Sequence, residues 1–123
     1  MAVMSTLLLL FPSGPVADNV ADYLSDNELI KTSSASDAIA AAEQCNAVIM
    51  ELSLAGHSGF EFLYELRSYA DLQKMPVIIF SRLQLTDEVL HSRSFKALNV
   101  IYLYQPTTTL AQLKMALEKE IAT

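Results

Sequence analysis

Cysteine occurs once in these 123 residues, as Cys45. That excludes a disulfide framework and a thiolate metal cage, and it fits a reducing compartment. Cations are scarce too: 8 Lys and Arg stand against 14 Asp and Glu, a formal charge of -6. They are scattered from Lys31 to Lys119, whereas phosphate-backbone binding needs them clustered, so no nucleic-acid partner is expected. Long apolar runs are missing as well. Leu7 to Phe11 has no preceding cation and is too short for a signal or a span, so no membrane partner and a cytoplasmic location are expected. No Gly-rich fingerprint marks a phosphate or nucleotide site; Ser13-Gly14 before Pro15 is a weak anion cradle, since Pro15 lacks an N–H. His57 and His91 lie far apart without Cys or acidic partners at ligand spacing. They read as surface residues, and neither a metal site nor a cofactor is expected.

What is present is apolar residue in short, regular blocks. Hydrophobic residues make up 52% and charged residues 18%, with a mean hydropathy of +0.31. Such a balance excludes disorder and favours a sheet buried on both faces. One domain spanning 1–123 is expected from the length. Thr6–Phe11, Leu29–Thr32, Ala47–Glu51, Pro76–Phe80 and Val100–Tyr104 read as strands, three of them near-continuous Val, Ile and Leu.

Helical patterns alternate with them. Pro15 fits a first helical position, and Val16, Val20, Tyr23 and Leu24 follow on one face. Ser36 is the expected cap of an Ala-rich helix through Cys45. Ser58 to Glu61 and Thr109 to Gln112 have capping-box spacing. Thr86-Asp87-Glu88 places a cap and two acids at the positive end of a fourth helix, and Leu110, Leu113, Leu117 and Ile121 stripe a fifth. The five methionines read as core filler. Five strand–helix units with short connections imply a right-handed, doubly wound α/β sheet. The chain ends soon after the fifth helix, so any output domain is expected elsewhere, if one exists.

The most informative stretch is Ala47-Val48-Ile49-Met50-Glu51. An apolar strand stops at one acid, and a loop through Gly56 opens the next helix near Gly59. Parallel sheets place their chemistry at that edge.

With these landmarks the whole chain resembles the receiver domains of two-component response regulators. Glu51 stands where that family places its phosphoacceptor Asp. Ser81 follows by 30 residues, at the end of Pro76-Val77-Ile78-Ile79-Phe80, where the family has Thr or Ser. Tyr102 matches the switch aromatic, which swings inward on activation in the family. Gln105, before Pro106, stands at the family's Lys. The resemblance implies a flavodoxin-like (βα)5 topology with five parallel strands in order 2-1-3-4-5. The segment from the first helix to the third strand is a few residues shorter than in family members.

The departures carry the functional expectation. The resemblance calls for two Mg²⁺-binding acids after the first strand, and the residues there are Pro12 and Ser13. Phosphoryl transfer to a carboxylate brings anion towards anion, and a metal and a Lys normally offset the charge. Glu51 would hold Mg²⁺ poorly alone. Its extra methylene shifts the carboxylate by about 1 Å, enough to cost roughly 10²-fold, and losing the metal forfeits several more kcal/mol. Glu51 is either a solvated strand-end carboxylate, the favoured reading, or a permanent stand-in for phospho-Asp reaching Ser81. A hydrogen bond between Glu51 and Gln105 is expected to replace the lost ion pair. Ser81 is a residual switch hydroxyl or a turn residue, and Tyr102 a state-fixing aromatic or ordinary packing.

The expectation is therefore a non-enzymatic, phosphorylation-independent interaction module in bacterial-type signalling. The resemblance assigns its partner, a signalling protein, an attached output or kinase domain or a second copy, to helix four, strand five and helix five. Arg93, Lys96, Tyr104, Gln112 and Lys114 are the candidate contact residues. Two alternatives remain: an acceptor still phosphorylated at Glu51, and a small-ligand binder, which needs a large pocket at the carboxyl edge.

Overall fold

The computed structural model describes residues 5–54 and 57–122. Strands β1 (Thr6–Leu10), β2 (Glu28–Thr32), β3 (Ala47–Met50), β6 (Val77–Ser81) and β7 (Ile101–Tyr104) form one sheet in the order β2-β1-β3-β6-β7. Every pairing is parallel. Counting sheet strands alone, this is the expected order 2-1-3-4-5. Each strand edge agrees with the expectation to within a residue, and β2 and β6 gain Glu28 and Ser81.

Period-two alternation assigns each strand residue to one of two cores. Leu8, Leu10, Val48, Met50, Val77 and Ile79 face one way. There α2 (Ala35–Ala42), α3 (Gly59–Ser68) and α5 (Arg93–Ala97) cover them with Ala38, Ala42, Phe62, Leu63, Leu66 and Phe95. Leu7, Leu9, Ala47, Ile49, Ile78 and Phe80 face α1 (Pro15–Tyr23) and α6 (Leu110–Ala122), which contribute Val20, Ala21, Leu24, Leu113 and Leu117. A sheet covered on both faces explains why the strands read as continuous apolar runs.

Several local expectations change. Ser34, not Ser36, caps α2 by accepting the Asp37 N–H at 3.3 Å, and the helix stops at Ala42. Ser36 is one residue inside the helix, its hydroxyl 3.1 Å from that of Ser34. The fourth helix is two: α4 (Asp87–Leu90) starts at the Thr86 cap, and Ser92 caps α5 through the Phe95 N–H at 3.2 Å. After β3, Ser53–Leu54 (β4) and His57–Ser58 (β5) pair as a miniature antiparallel ladder; Ala55 and Gly56 lie outside the described residues. The Thr109 capping box forms reciprocally, Gln112 N–H to Thr109 Oγ1 at 3.1 Å and Thr109 N–H to Gln112 Oε1 at 2.8 Å. Met50 is core, but Met115 is 69% exposed on α6, and Met1 and Met4 lie outside the described residues.

Two contacts fix α3. Gly59 sits so close to the preceding loop that a Cβ would meet Leu52 Cα at 2.8 Å. At the other end, the Arg67 guanidinium donates to the carbonyls of Leu98, Leu72 and Asn99 at 2.9, 2.8 and 3.1 Å. Burial pushes its pKa down. Burial, with Glu28 as a lesser contributor, pushes the Cys45 thiol up. Among the described residues no helix is long and apolar enough to cross a membrane.

Candidate functional site

The carboxyl ends of β1, β3, β6 and β7 meet at one edge because the parallel register aligns them: Leu10 is opposite Met50, Met50 opposite Ile79, and Ser81 opposite Tyr104. The residues just past those ends are Phe11 to Ser13, Glu51, Arg82 and Gln105. They line a crevice of about 390 Å³ together with Gly14, Pro15, Val16, Ser53 and Leu83. A cavity of the same volume lies at the amino edge, lined by Asn46, Lys74, Asn99 and Glu120; none of the candidate side chains reaches it.

Glu51 is the centre of the site, and it is not solvated. Only 5% of it is exposed. Its Oε2 accepts the Ser81 hydroxyl and the Ser53 N–H at 3.1 Å, and its Oε1 accepts the Arg82 N–H at 3.0 Å. Burying a carboxylate is costly unless hydrogen bonds replace its hydration, and here three donors do so. The longer Glu arm is what spans from β3 to Ser81 on β6. That geometry overturns the reading of Glu51 as a solvated strand end.

Ser81 is fully buried. Besides donating to Glu51, its oxygen accepts the Leu83 N–H at 3.0 Å. The Tyr102 hydroxyl donates to the Leu83 carbonyl at 2.6 Å and accepts the Leu85 N–H at 3.1 Å. Glu51, Ser81, Leu83 and Tyr102 thus form one unbroken hydrogen-bonded chain from β3 to β7. Tyr102 packs against the core under α5, its hydroxyl holding down the loop between β6 and α4. Sequence reasoning found three of its members, Glu51, Ser81 and Tyr102. It missed the backbone N–H groups of Ser53, Arg82 and Leu83, which every residue type but proline supplies alike.

Gln105 departs from expectation. It lines the crevice, but its Oε1 is buried with no hydrogen-bond partner. The expected Glu51–Gln105 bond is absent; Ser81 and two backbone donors hold the carboxylate instead. An unmet buried acceptor costs about 1–3 kcal/mol. Pro12 and Ser13 are exposed at the rim, and Gly14 begins α1 at φ 154°, a conformation suited to glycine.

The candidate contact residues differ in exposure. Arg93 and Lys96 are exposed on α5, and Tyr104 is half-buried. Gln112 is exposed, with its amide engaged in the α6 cap. Lys114 is half-buried, its ammonium 5.8 Å from the Tyr23 ring of α1. Exposed Leu83 and Val89 carry apolar surface on the β6–α4 segment, which sequence reasoning did not single out. His91 is exposed. The side chain of His57 lies outside what the structure describes.

No family model matches the sequence, and no curated protein matches it. Solved structures do. Chemotaxis response regulator CheY4 of Vibrio cholerae aligns with a TM-score of 0.80 at 19% identity, over 96% of this chain and 99% of that one. The receiver domain of sensor histidine kinase PA1611 from Pseudomonas aeruginosa, with magnesium coordinated in its active-site cleft, gives 0.77 at 21%, over 98% and 100%. The Mn(2+)-bound response regulator Rcp1 gives 0.73 at 25%, over 94% and 91%. The chain has the receiver fold.

Within the receiver fold, metal-bound relatives raise the question of whether this edge suits a divalent ion. Its donor set does not. Mg²⁺ takes oxygen ligands, usually including one or two carboxylates with waters. The one carboxylate lining the crevice already accepts three protein hydrogen bonds. The Pro12 side chain has no donor atom to offer, and that of Ser13 only a neutral hydroxyl. Among the described residues no three His, Cys, Asp or Glu side chains cluster as a metal site.

Proposed function

We propose that this chain is a receiver-type signalling module whose switch is held without phosphoryl transfer. It is read as a signalling module, as receiver domains generally are, and not as an enzyme. The observation that carries the reading is the occupied carboxylate. Glu51, at the phosphoacceptor position implied by the resemblance, closes onto Ser81 and two backbone N–H groups. Leu83 then links Ser81 to Tyr102. In the family, phosphorylation is what draws the hydroxyl and the aromatic inward. Here a permanent carboxylate makes the first of those contacts and Tyr102 is docked at the end of the chain.

The output follows from what that chain positions. It fixes the β6–α4 loop, so α4, α5, β7 and α6 present one constant surface with Arg93, Lys96 and Tyr104 on it. A protein partner, an attached output or kinase domain or a second copy, binds that surface constitutively and away from any membrane or nucleic acid. Regulation then lies in the abundance of either partner.

Incubation with acetyl phosphate and Mg²⁺, followed by intact-protein mass spectrometry, tests the reading. The mass of the wild-type chain stays unchanged. A phosphoryl adduct mapping to Glu51 would return the chain to the phosphoacceptor alternative.

A further inference from the structure

We infer that a notch between α2 and α3 receives an arginine side chain from a partner protein. Its volume of about 270 Å³ falls below the roughly 300–1,000 Å³ of small-molecule sites, so it suits one side chain better than a whole ligand. Ile39 and Ala40 of α2 line it together with Glu43, just past the helix end. Tyr69, at the end of α3, and Leu72, in the 3₁₀ turn Ala70–Leu72, complete it. Leu72 is buried, Ile39 half-buried, and Tyr69 46% exposed. None of these residues belongs to the surface proposed above, and none depends on the state of Glu51.

Charge selects the occupant. Glu43 is exposed, and its carboxylate has no partner among the described residues. The Tyr69 hydroxyl donates to Glu65 Oε2 at 3.4 Å, which sets a second carboxylate beside the ring. Glu43 caps the end of α2 and Tyr69 the end of α3, so the negative ends of two helix dipoles meet here. The cations nearby leave this imbalance in place. Arg67, on α3, is engaged by the carbonyls of Leu98, Leu72 and Asn99, and its one charge stands against Glu43, Glu65 and Asp71. Lys74 lines the amino-edge cavity, Lys31 a cavity with Asp18, and Arg93 and Lys96 are on α5. An acidic rim over an apolar floor is the complement of a cation on an alkyl stem.

Arginine fits that description better than lysine. Its planar guanidinium stacks on an aromatic ring and forks onto a carboxylate, and the notch sets Tyr69 beside Glu43. The surroundings call for a protein as its bearer. Glu61 and Glu65 continue from Tyr69 at four-residue spacing along one exposed ridge of α3, a length of acidic surface that a single small cation does not cover.

The blocked pentapeptide Ala-Ala-Arg-Ala-Ala is the probe, titrated into the full ¹⁵N-labelled chain by NMR. Its counterparts with central citrulline, a neutral isostere, and central lysine are the controls. The arginine peptide is expected to shift the Glu43, Tyr69 and Leu72 amides saturably. It should bind about tenfold more tightly than the citrulline peptide, the effect of a hydrogen bond between charged groups, and more tightly than the lysine peptide. Glu43→Gln, at an exposed position, should remove most of the preference over citrulline. Equal binding of either control, an unchanged preference in Glu43→Gln, or shifts centred elsewhere would overturn the proposal. A wild-type dimer in sedimentation that Glu43→Gln dissolves would give the notch to a second copy and overturn the assignment to a partner. The acetyl phosphate result is read separately, so failure of this site leaves the phosphorylation-independent reading standing.

Discussion

At the residue scale the protein turns on where single side chains find their hydrogen bonds. Glu51 ends an apolar strand, and that much shows in Ala47-Val48-Ile49-Met50-Glu51, because the run stops where the sheet stops. Its orientation does not show. The donors that hold it are Ser81 and the backbone N–H groups of Ser53 and Arg82, and peptide groups leave no mark in a sequence. Gln105 seemed its natural partner by position and is not; Ser81 and two backbone N–H groups hold the carboxylate instead. Gly59 is another residue whose reason is spatial. Ala is the better helix former, by about 1 kcal/mol in helix interiors, but at this first position of α3 its Cβ would stand 2.8 Å from Leu52 Cα and 3.0 Å from Leu52 O. Backbone cannot yield as a flexible side chain can, so overpacking at about 1–3 kcal/mol prevails. Gly59→Ala should lower the urea midpoint; an unchanged or higher midpoint would contradict the packing described.

At the element scale the β6–α4 loop decides the output surface. Its first anchor is Ser81 Oγ on the Leu83 N–H, and its second is Tyr102 on Leu83 and Leu85. Tyr102→Phe keeps the ring in the core and deletes both hydroxyl bonds. The expected result is faster hydrogen exchange at the Leu85 amide, by about tenfold if the two bonds contribute near 1.4 kcal/mol together, with little change in β1 or β3. Unaltered exchange at Leu85 would mean that the loop is held by something else. The division of the fourth helix into α4 and α5 has a sequence trace in Ser92, a good cap residue three positions before Phe95. The capping signal at Thr86 masks it, because one cap suffices to start a helix and nothing nearby demands a second. For α2 the cap is Ser34, whose backbone is extended, and not the expected Ser36.

At the scale of the whole molecule the architecture was legible because burial repeats. Parallel strands covered on both faces must be apolar throughout, and Leu7 to Leu10, Ala47 to Met50 and Val77 to Phe80 are. The alternation that splits these runs between two cores is invisible in uniformly apolar sequence, and it emerges only with the helices in place. It has a measurable consequence. Leu63 and Leu113 are both fully buried, in opposite cores. Leu63→Ala and Leu113→Ala should each cost about 2–5 kcal/mol. Because the sheet separates them, the double variant should sum to within about 0.5 kcal/mol in urea titrations; a larger discrepancy would argue for one shared core.

The central claim is that Glu51 is engaged by Ser81 and not open to chemistry, and a double-mutant cycle measures that engagement directly. Urea unfolding of wild type, Glu51→Ala, Ser81→Ala and the double variant isolates the energy the two side chains share. A coupling of about 1.5–3 kcal/mol, as expected of a hydrogen bond to a charged group, is the predicted result. Losses that simply add, with no coupling between the two positions, would contradict it.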